Sequence, residues 1–415
     1  MIAFSEAMSA VVTRFLAAFW DTCTDRLARC SRAISPPLWA ASIATASASL
    51  GDGIVKDVID ISTLWVSEAT SKLFDVPRAR SAVVVLSTMS GSPSLGKSLT
   101  APVQEVARAW IGRECMVNAP SKLNLRLKVE GRRVDRYHLL SMLNCSTSLQ
   151  DTLRIVLTEE RDIKVTVKPE GVLPLEGQEN LAARAFKSFW REFGFEDAPL
   201  GLRCEIKKNI PVGGGLGGGS ADAGAVLRHL EGIFSESLSV MVGASRAEVQ
   251  QRVLRAALSC GADVPYAVVG GLCWVGGIGE EVVPIRARTI SPTKALIVIP
   301  PKPVPTIAFY DRYRREWPAL PAISDDLGRR FISSGEELLP LVANDFEETA
   351  CGMVPEIAEA LSLMREVFPA GTALTGSGSV CFSLVPDGME EVAVALSKRL
   401  TSQGFTSTVC FLIFS

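Results

Sequence analysis

Apolar and polar residues alternate along several short segments of the chain. Leu123, Leu125 and Leu127 alternate with polar residues, which predicts a half-buried β-strand. The same pattern predicts further strands at residues 139–146, 151–157, 202–206 and 295–299. Residues 179–193, and a segment that begins at about Ser220, instead have the period of amphipathic helices. Strands and helices mixed without regular β-α-β alternation predict an α+β fold.

Length and charge limit the classes of function. At roughly 150 residues per domain, the 415 residues predict two or three domains. The 43 basic and 45 acidic residues give a net charge of −2, which argues against a general polyanion-binding protein. No stretch approaches the ~18 apolar residues of a membrane span. We therefore expect neither a nucleic acid nor a membrane as partner.

Histidine and cysteine offer little material for metal chemistry. The chain has only two histidines, His138 and His229, too few for a histidine-based metal centre or triad. None of its ten cysteines forms a C-x-x-C pair, and most lie in apolar runs. We interpret them as small buried hydrophobic residues of a reducing compartment.

Residues 1–115 differ from the rest and contain no motif. The first fifty residues are rich in Ala and Ser and lack Lys, as in organellar transit peptides, but Glu6 and Asp21 weaken that match. A short strand is predicted at residues 82–86. Three interpretations stay open for this extension: a targeting segment, an accessory domain, or upstream sequence outside the working protein. We expect a chain that begins at Met116 to fold and to be active.

The strongest local signal is a glycine-rich loop between a predicted strand and a predicted helix. Its residues are Pro211, Val212, Gly213, Gly214, Gly215, Leu216, Gly217, Gly218, Gly219, Ser220 and Ala221. Glycines let backbone N–H groups approach an anion, and the helix start adds unpaired N–H groups, so the loop suits a triphosphate. Ser220 is a candidate N-cap or ligand to a phosphate-bound Mg²⁺. A flexible linker fits poorly, and neither a Walker A sequence nor a dinucleotide fingerprint is present.

This loop resembles the phosphate-binding motif of the GHMP kinase superfamily, in the form that is closest to the 4-diphosphocytidyl-2-C-methyl-D-erythritol kinases. Four further segments match that family in the right order: residues 119–125, 133–138, 261–265 and 371–382. The resemblance covers about residues 116–415. It implies the two-domain GHMP fold, with a ribosomal protein S5 domain 2-like ATP-binding domain at 116–285 and a ferredoxin-like domain at 286–415. Residues 1–115 are then an N-terminal extension.

The resemblance also implies roles for particular residues. Asp263, an acidic residue in an apolar run before Pro265, is the expected catalytic base, although its local sequence fits a surface or capping aspartate equally well. Lys122 is the expected catalytic lysine, although by local pattern alone an exposed lysine is favoured. The expected substrate contacts are Asn124, Tyr137, His138, Thr306, Tyr310, Thr375 and Gly376, and Asn180 is expected near the adenine of ATP. His229 is expected to be structural.

The implied reaction is ATP-dependent phosphorylation of the 2-hydroxyl of 4-diphosphocytidyl-2-C-methyl-D-erythritol, a step of the non-mevalonate route to isoprenoid precursors. ATP and Mg²⁺ are the expected cofactors, and a monomer or weak homodimer is expected. The expected location is the bacterial cytoplasm, or a plastid-type organelle if residues 1–50 are a transit peptide.

The sequence departs from the family pattern at two positions, which leaves alternatives open. Arg136 replaces a usual Gly, and Ala221 replaces a frequent second Ser. Neither change touches Lys122 or Asp263, so we expect activity to survive. The alternatives are a GHMP kinase for another alcohol, such as mevalonate or homoserine, and an inactive nucleotide-binding relative.

Overall fold

The structure of the chain is a computed structural model, and its described residues all lie in the compact unit Ser81–Ser415. They are residues 83–84, 101–134, 138–170, 179–287, 293–304, 308–309, 312–313, 331–332 and 334–414. The expectations for residues 1–50, Arg136, Tyr137, Thr306 and Tyr310 lie outside this part of the chain.

Helices and strands are mixed along the chain. Up to the glycine loop they are β1 (Val83–Val84), α1 (Ala101–Trp110), β2 (Glu114–Arg132), β3 (His138–Thr158), β4 (Ile163–Lys168), α2 (Leu181–Glu192) and β5 (Gly201–Lys207). After the loop come α3 (Gly218–Val242), α4 (Arg246–Cys260), α5 (Val264–Val269), β6 (Leu272–Gly277), β7 (Glu281–Pro284), β8 (Arg286–Ala287) and β9 (Lys294–Ile299). The last are β10 (Phe331–Ile332), a 3₁₀ helix (Gly335–Leu341), β11 (Ala343–Asn344), α6 (Glu347–Met353), α7 (Pro355–Val367), β12 (Thr372–Leu374), β13 (Cys381–Val385), α8 (Glu390–Ser402) and β14 (Thr406–Ile413). The predicted α+β class is confirmed.

β3 organises the sheet. It is one continuous strand where the pattern predicted two, and it pairs antiparallel with β2, β5, β6 and β14. β14 also pairs with β9, which continues the sheet to β13 and β12. The described pairs β4–β5 and β11–β2 are parallel, so this sheet is mixed. β8 and β10 form a separate two-stranded parallel sheet. Among the described helices, none is both long enough and apolar enough to cross a membrane.

β2 is buried on both faces, so the prediction of a half-buried strand is wrong. Its apolar residues Leu123 and Leu125 are fully buried, but so is Asn124, and Lys122 is only 6% exposed. The reason is long-range packing over the polar face. The backbone N–H of Lys122 donates to the carbonyl of Leu216 at 3.0 Å, and that of Asn124 donates to Thr375 Oγ1 at 3.0 Å. The polar residues of β2 therefore line an interior site.

Two hydrophobic cores meet along β2. The first contains Leu123 and Leu125 together with aromatic residues of α2 such as Trp190. The second contains Leu127 and Val129 together with residues from the C-terminal helices. Since both cores bury apolar surface against one strand, they fix its intervening polar residues in space.

Helix α1 belongs to the first core, although it lies in the expected extension. Val103 and Ala107 are almost fully buried, and Trp110 packs edge-on against His229 with ring centroids 6.1 Å apart. The N–H of Gly112 donates to the carbonyl of Leu157 at 2.9 Å. The predicted structural role of His229 agrees with this contact. We propose that the folded part of the chain extends upstream of Met116 and includes α1.

Removal of α1 is expected to destabilise the protein. A chain that begins at Met116 should unfold with a free energy about 2–4 kcal/mol below that of a chain that begins at Ala101, because it loses the buried side chains of α1. Urea denaturation of the two chains measures the difference. In the full chain, Val103→Ala should lower stability, whereas Glu105→Ala at an exposed position should not. Equal stability of the two truncated chains would show that α1 is dispensable.

Candidate active site

The glycine loop is a fixed turn between β5 and α3. Leu216 is 1% exposed and anchors the loop in the first core. The N–H of Val380 donates to the carbonyl of Gly214 at 3.2 Å, which ties the loop to the segment before β13. Gly215 has φ +83°, and a Cβ on it would lie 2.3 Å from the carbonyl oxygen of Thr375. Only glycine fits this contact between the two glycine-rich segments, and the loop is not a linker.

The loop delivers the N-terminus of α3 to the site. Gly217, in the left-handed conformation at φ +72°, is the N-cap, and no side chain caps the first-turn N–H groups. The prediction that Ser220 is the N-cap is therefore wrong, because the helix begins three residues earlier. Uncapped N–H groups and the positive end of the helix dipole favour an anion at this point.

A cavity of about 680 Å³ lies over this helix start. Its wall combines the glycine loop, apolar side chains of β2 and β3, and the matched C-terminal segment at residues 371–382, which we call the third glycine motif. Its other lining residues are Lys122, Asn124, Leu127, Leu140, Met142, Leu181, Lys208, Ile210, Asp263, Phe346, Gly376, Ser377 and Gly378. Lys122 and Asp263, 141 positions apart in the sequence, thus reach one cavity together with residues 211–220 of the predicted loop, whereas Ala221 does not line it.

Lys122 and Asp263 form an ion pair with 3.6 Å between Nζ and Oδ2. The lysine side chain is 8% exposed and the aspartate side chain 37% exposed, so the carboxylate is the more accessible of the two. Asp263 is at the N-cap position of α5, but its side chain makes no capping hydrogen bond. The carboxylate is therefore available to the cavity, unlike that of a capping aspartate.

Asn124 holds the lysine in place. Lys122 Nζ donates to Asn124 Oδ1 at 2.6 Å, and the same oxygen accepts from the N–H of Gly376 at 2.8 Å. Asn124 Nδ2 donates to Asn144 Oδ1 at 2.7 Å. Asn124 and Asn144 are fully buried, and both ends of the Asn124 amide are engaged, which gives its side chain one orientation.

Thr375 and Gly376 both form hydrogen bonds with Asn124. Thr375 is fully buried and its Oγ1 accepts from the Asn124 N–H, while Gly376 uses its N–H on the Asn124 side chain. Asn344 in turn donates from Nδ2 to the carbonyls of Leu374 and Gly376 at 2.8 and 2.9 Å. The structure thus places Thr375 behind the cavity wall, as support for Asn124.

A second set of charges lies beneath the glycine loop, and no local sequence pattern predicted it. Lys208 Nζ donates to Asp151 Oδ2 at 2.5 Å and to Asp222 Oδ2 at 2.8 Å. Asp151 Oδ1 also accepts from the N–H groups of Asn209 and Ile210 at 2.6 and 2.8 Å. Asp222 is the one acidic residue of its glycine- and alanine-rich segment, whereas Asp151 and Lys208 lie among other polar residues and give no local signal. This triad joins β3 and the end of β5 to the first turn of α3.

The two carboxylates of the triad differ in their hydrogen bonds and therefore in how well their negative charge is stabilised. Asp151 has three hydrogen-bond donors, whereas Asp222 Oδ1 is buried with no hydrogen-bond partner among the described residues. Burial raises the pKa of Asp222 from 3.8 to about 7, although Lys208 acts to lower it. Burial acts to lower the pKa of Lys208, but the two carboxylates outweigh it and leave that pKa raised. Two carboxyls therefore compete for one ammonium.

The other predicted contacts are more scattered. His138 begins β3 and packs edge-on against Tyr313 with ring centroids 5.7 Å apart. Tyr313 also packs against Phe346, which lines the cavity, at 4.8 Å between centroids. Asn180 caps α2, since its Oδ1 accepts from the N–H of Ala182 at 2.8 Å, and only its neighbour Leu181 lines the cavity.

The raised pKa of Asp222 predicts a pH-dependent stability. Between about pH 4 and pH 7 the unfolded state has lost this proton while the folded state retains it, so the free energy of unfolding should fall as pH rises. The decline is on the order of 1 kcal/mol per pH unit and ends above about pH 7. Denaturation of wild type and Asp222→Asn across pH 4–8 isolates it, with exposed Asp387→Asn as control. A wild-type minus Asp222→Asn difference that is constant with pH would contradict the assignment.

Comparisons with known proteins agree with this geometry. The family profile described as "GHMP kinases N terminal domain" matches residues 180–271. The chain is 33% identical over 287 residues, 69% of its length and 94% of the relative, to a 4-diphosphocytidyl-2-C-methyl-D-erythritol kinase of Syntrophotalea carbinolica. It is 33% identical over 299 residues, 72% of its length and 98% of the relative, to the kinase of that name from Geobacter metallireducens.

The fold comparison points the same way. A crystal structure of 4-(cytidine 5'-diphospho)-2C-methyl-D-erythritol kinase matches with a TM-score of 0.54 and 30% sequence identity. The match covers 73% of this chain and all of that one. With an ion pair, an anion-binding loop and relatives of this similarity, the chain belongs to the 4-diphosphocytidyl-2-C-methyl-D-erythritol kinase family of the GHMP kinases.

Proposed function

We propose that the chain transfers the γ-phosphoryl group of ATP to the 2-hydroxyl of 4-diphosphocytidyl-2-C-methyl-D-erythritol. The observation that carries the proposal is the Lys122–Asp263 pair, which lies in one cavity with an uncapped helix N-terminus and its glycine loop. The names of the relatives supply the substrate. In this role the chain serves the non-mevalonate route to isoprenoid precursors.

The glycine loop is the proposed site for the triphosphate. GHMP kinases use ATP as co-substrate. Backbone N–H groups of the glycines at 213–215 and 217–219 offer donors without side-chain obstruction, and α3 adds its positive dipole end. Asn180 does not line the cavity, whereas its neighbour Leu181 does. Leu181 is therefore a stronger candidate than Asn180 for contact with the adenine.

Asp263 and Lys122 divide the chemistry between them. The accessible carboxylate of Asp263 accepts the proton of the substrate hydroxyl as that oxygen attacks the γ-phosphorus. The Lys122 ammonium, held by Asn124, stabilises negative charge on the oxygens around the reacting centre. Phosphoryl transfer depends mainly on position and charge, and this pair provides both.

A magnesium ion would be bound in this site mainly by the phosphate oxygens of ATP. The described residues contain no cluster of three or more His, Cys, Asp or Glu able to hold a metal by themselves. Oxygen donors suit Mg²⁺, and the Ser220 hydroxyl in the first turn of α3 is the one we assign to it. When bound, the ion would neutralise charge on the β- and γ-phosphates.

The cytidine end of the substrate is assigned to the side of the cavity near His138. Burial lowers the pKa of His138, and nearby Arg132 lowers it further, so the imidazole is neutral at pH 7. A neutral imidazole has one donor and one acceptor for the edge of a base. The aromatic group of Tyr313 and Phe346 lies beside it. The assignments of Tyr137, Thr306 and Tyr310 stay predictions.

The same features support this kinase over the alternatives. An inactive relative has no need to keep a lysine 8% exposed beside an accessible aspartate, since burying an ammonium is costly. Mevalonate and homoserine contain no nucleobase, so a kinase for either alcohol has no need for aromatic residues that contact one. A monomer or weak homodimer as the working form stays a prediction.

Loss of either charged residue is expected to stop turnover while ATP still binds. Asp263→Asn should lower kcat roughly 10²–10⁴-fold, and Lys122→Met roughly 10²–10³-fold. The KM for ATP should change by less than about threefold, because the loop holds the phosphates through its backbone. Steady-state assays of ADP release measure both constants. Asp387→Asn and Lys398→Met, at exposed positions, are the matched controls. More than a tenth of wild-type kcat in either site variant would remove that residue from the mechanism.

The choice of alcohol separates this proposal from a related kinase. With ATP and Mg²⁺, the wild type should release ADP in the presence of 4-diphosphocytidyl-2-C-methyl-D-erythritol and only at background rate with mevalonate or homoserine. The reason is that the small alcohols lack the base that the His138 region recognises. Turnover of mevalonate or homoserine without turnover of the cytidyl substrate would assign the chain to another branch.

A further inference from the structure

Helix α3 is in direct backbone contact with α5, the helix that begins after Asp263. A Cβ on Gly224 would lie 2.7 Å from the carbonyl carbon and 2.7 Å from the Cβ of Ala267. A side chain at this position would force the two helices apart. The phosphate-loop helix and the segment that carries Asp263 are therefore packed with no layer of side chains between them.

Arg228 lies one turn further along α3 and faces the same segment. Its Nη1 donates to the carbonyl of Ala267, and its Nη2 donates to the carbonyl of Asn118 at 3.0 Å. No carboxylate of the described residues pairs with it, and burial lowers its pKa. The guanidinium is instead used as a planar fork that joins two backbone carbonyls.

The two carbonyls belong to the segments that carry the reacting pair. The N–H of Ala267 donates to the carbonyl of Asp263 at 3.1 Å, so one helical turn connects the arginine to the aspartate. Asn118 is four residues before Lys122 on β2, and the strand register shifts between Pro120 and Lys122. Such an irregularity bends a strand, and a fixed point just before it determines where Lys122 lies.

We propose that Arg228 is a positioning residue that sets the distance between Lys122 and Asp263 and ties both to the phosphate loop. It touches neither reactant; it acts through Asn118 and Ala267. This inference rests on the proposed function, since it states that a residue outside the active site keeps the two reacting side chains at the correct distance. A misplacement of about 1 Å in such a site can lower the rate on the order of 10²-fold.

A second cavity makes the inference testable by chemical rescue. It has a volume of about 210 Å³ and lies beside the arginine, with Asn118, Tyr266, Gly270 and Ile413 among its lining residues. In Arg228→Ala the missing side chain would join this space. A small guanidinium ion added to the solution then has room to donate to the same two carbonyls.

Kinetic assays give the first test. Arg228→Met and Arg228→Ala should lower kcat roughly 10–100-fold while the KM for ATP stays within about twofold. Arg228→Lys should be intermediate, because one ammonium cannot span both carbonyls. Millimolar ethylguanidinium should restore Arg228→Ala several-fold and leave Lys122→Met unrestored. Arg252→Met is the matched control. Arg252 lies on α4, does not line the cavity, and donates to the carbonyl of Glu192, the last residue of α2, at 3.1 Å.

Amide hydrogen exchange gives a second test that needs no turnover. In Arg228→Met, exchange should accelerate in residues 114–121 and 263–270 and stay unchanged in α4. Unchanged exchange in both segments, or a kcat equal to that of wild type, would overturn the inference. Absence of turnover in the wild type would count against the proposed function alone, because the exchange result still decides the role of Arg228.

Discussion

The buried ammonium of Lys122 is the constraint on which the site depends. A charge that is 8% exposed is stable only with partners, because an unpaired ammonium is costly to bury. Here the partners are Asn124 Oδ1 at 2.6 Å and Asp263 at 3.6 Å. The first fixes the lysine, and the second leaves it room to interact with a reacting phosphate.

That single group explains why distant segments converge. Asn124 must present its oxygen to the lysine, so its amide is held by the N–H of Gly376 and by Asn144. Gly376 is held in turn by Asn344. The glycine loop contacts the same third glycine motif through Gly215, where only hydrogen fits as a side chain. Packing of the two glycine segments against each other thus fixes the position of the phosphate loop relative to Asn124 and Lys122.

Local patterns predicted the elements well where neighbouring residues determine them. The strand around Leu123 and the helix after the loop both follow from short-range sequence. The pairing of Lys122 with Asp263 followed only from the family resemblance, because no local rule joins residues so far apart. The burial of both faces of β2 was missed for the same physical reason: the cover comes from the glycine loop and from Thr375.

The residues that were missed share this long-range character. Lys208, Asp151 and Asp222 come from three separate elements, and α1 packs on a helix more than a hundred positions later. In each case the partner, rather than the residue itself, determines the role. Thr375 shows the converse: its position was predicted, but its burial against Asn124 makes it a support for the site.

The most direct test of the account is the location of the transferred phosphate. Wild-type protein incubated with ATP, Mg²⁺ and 4-diphosphocytidyl-2-C-methyl-D-erythritol should give, by ³¹P NMR, a new phosphomonoester signal at the 2-position, equal in amount to the ADP formed, with the diphosphate of the substrate intact. ADP formation without a new phosphomonoester, or cleavage of the diphosphate, would contradict transfer by the Lys122–Asp263 pair to that hydroxyl.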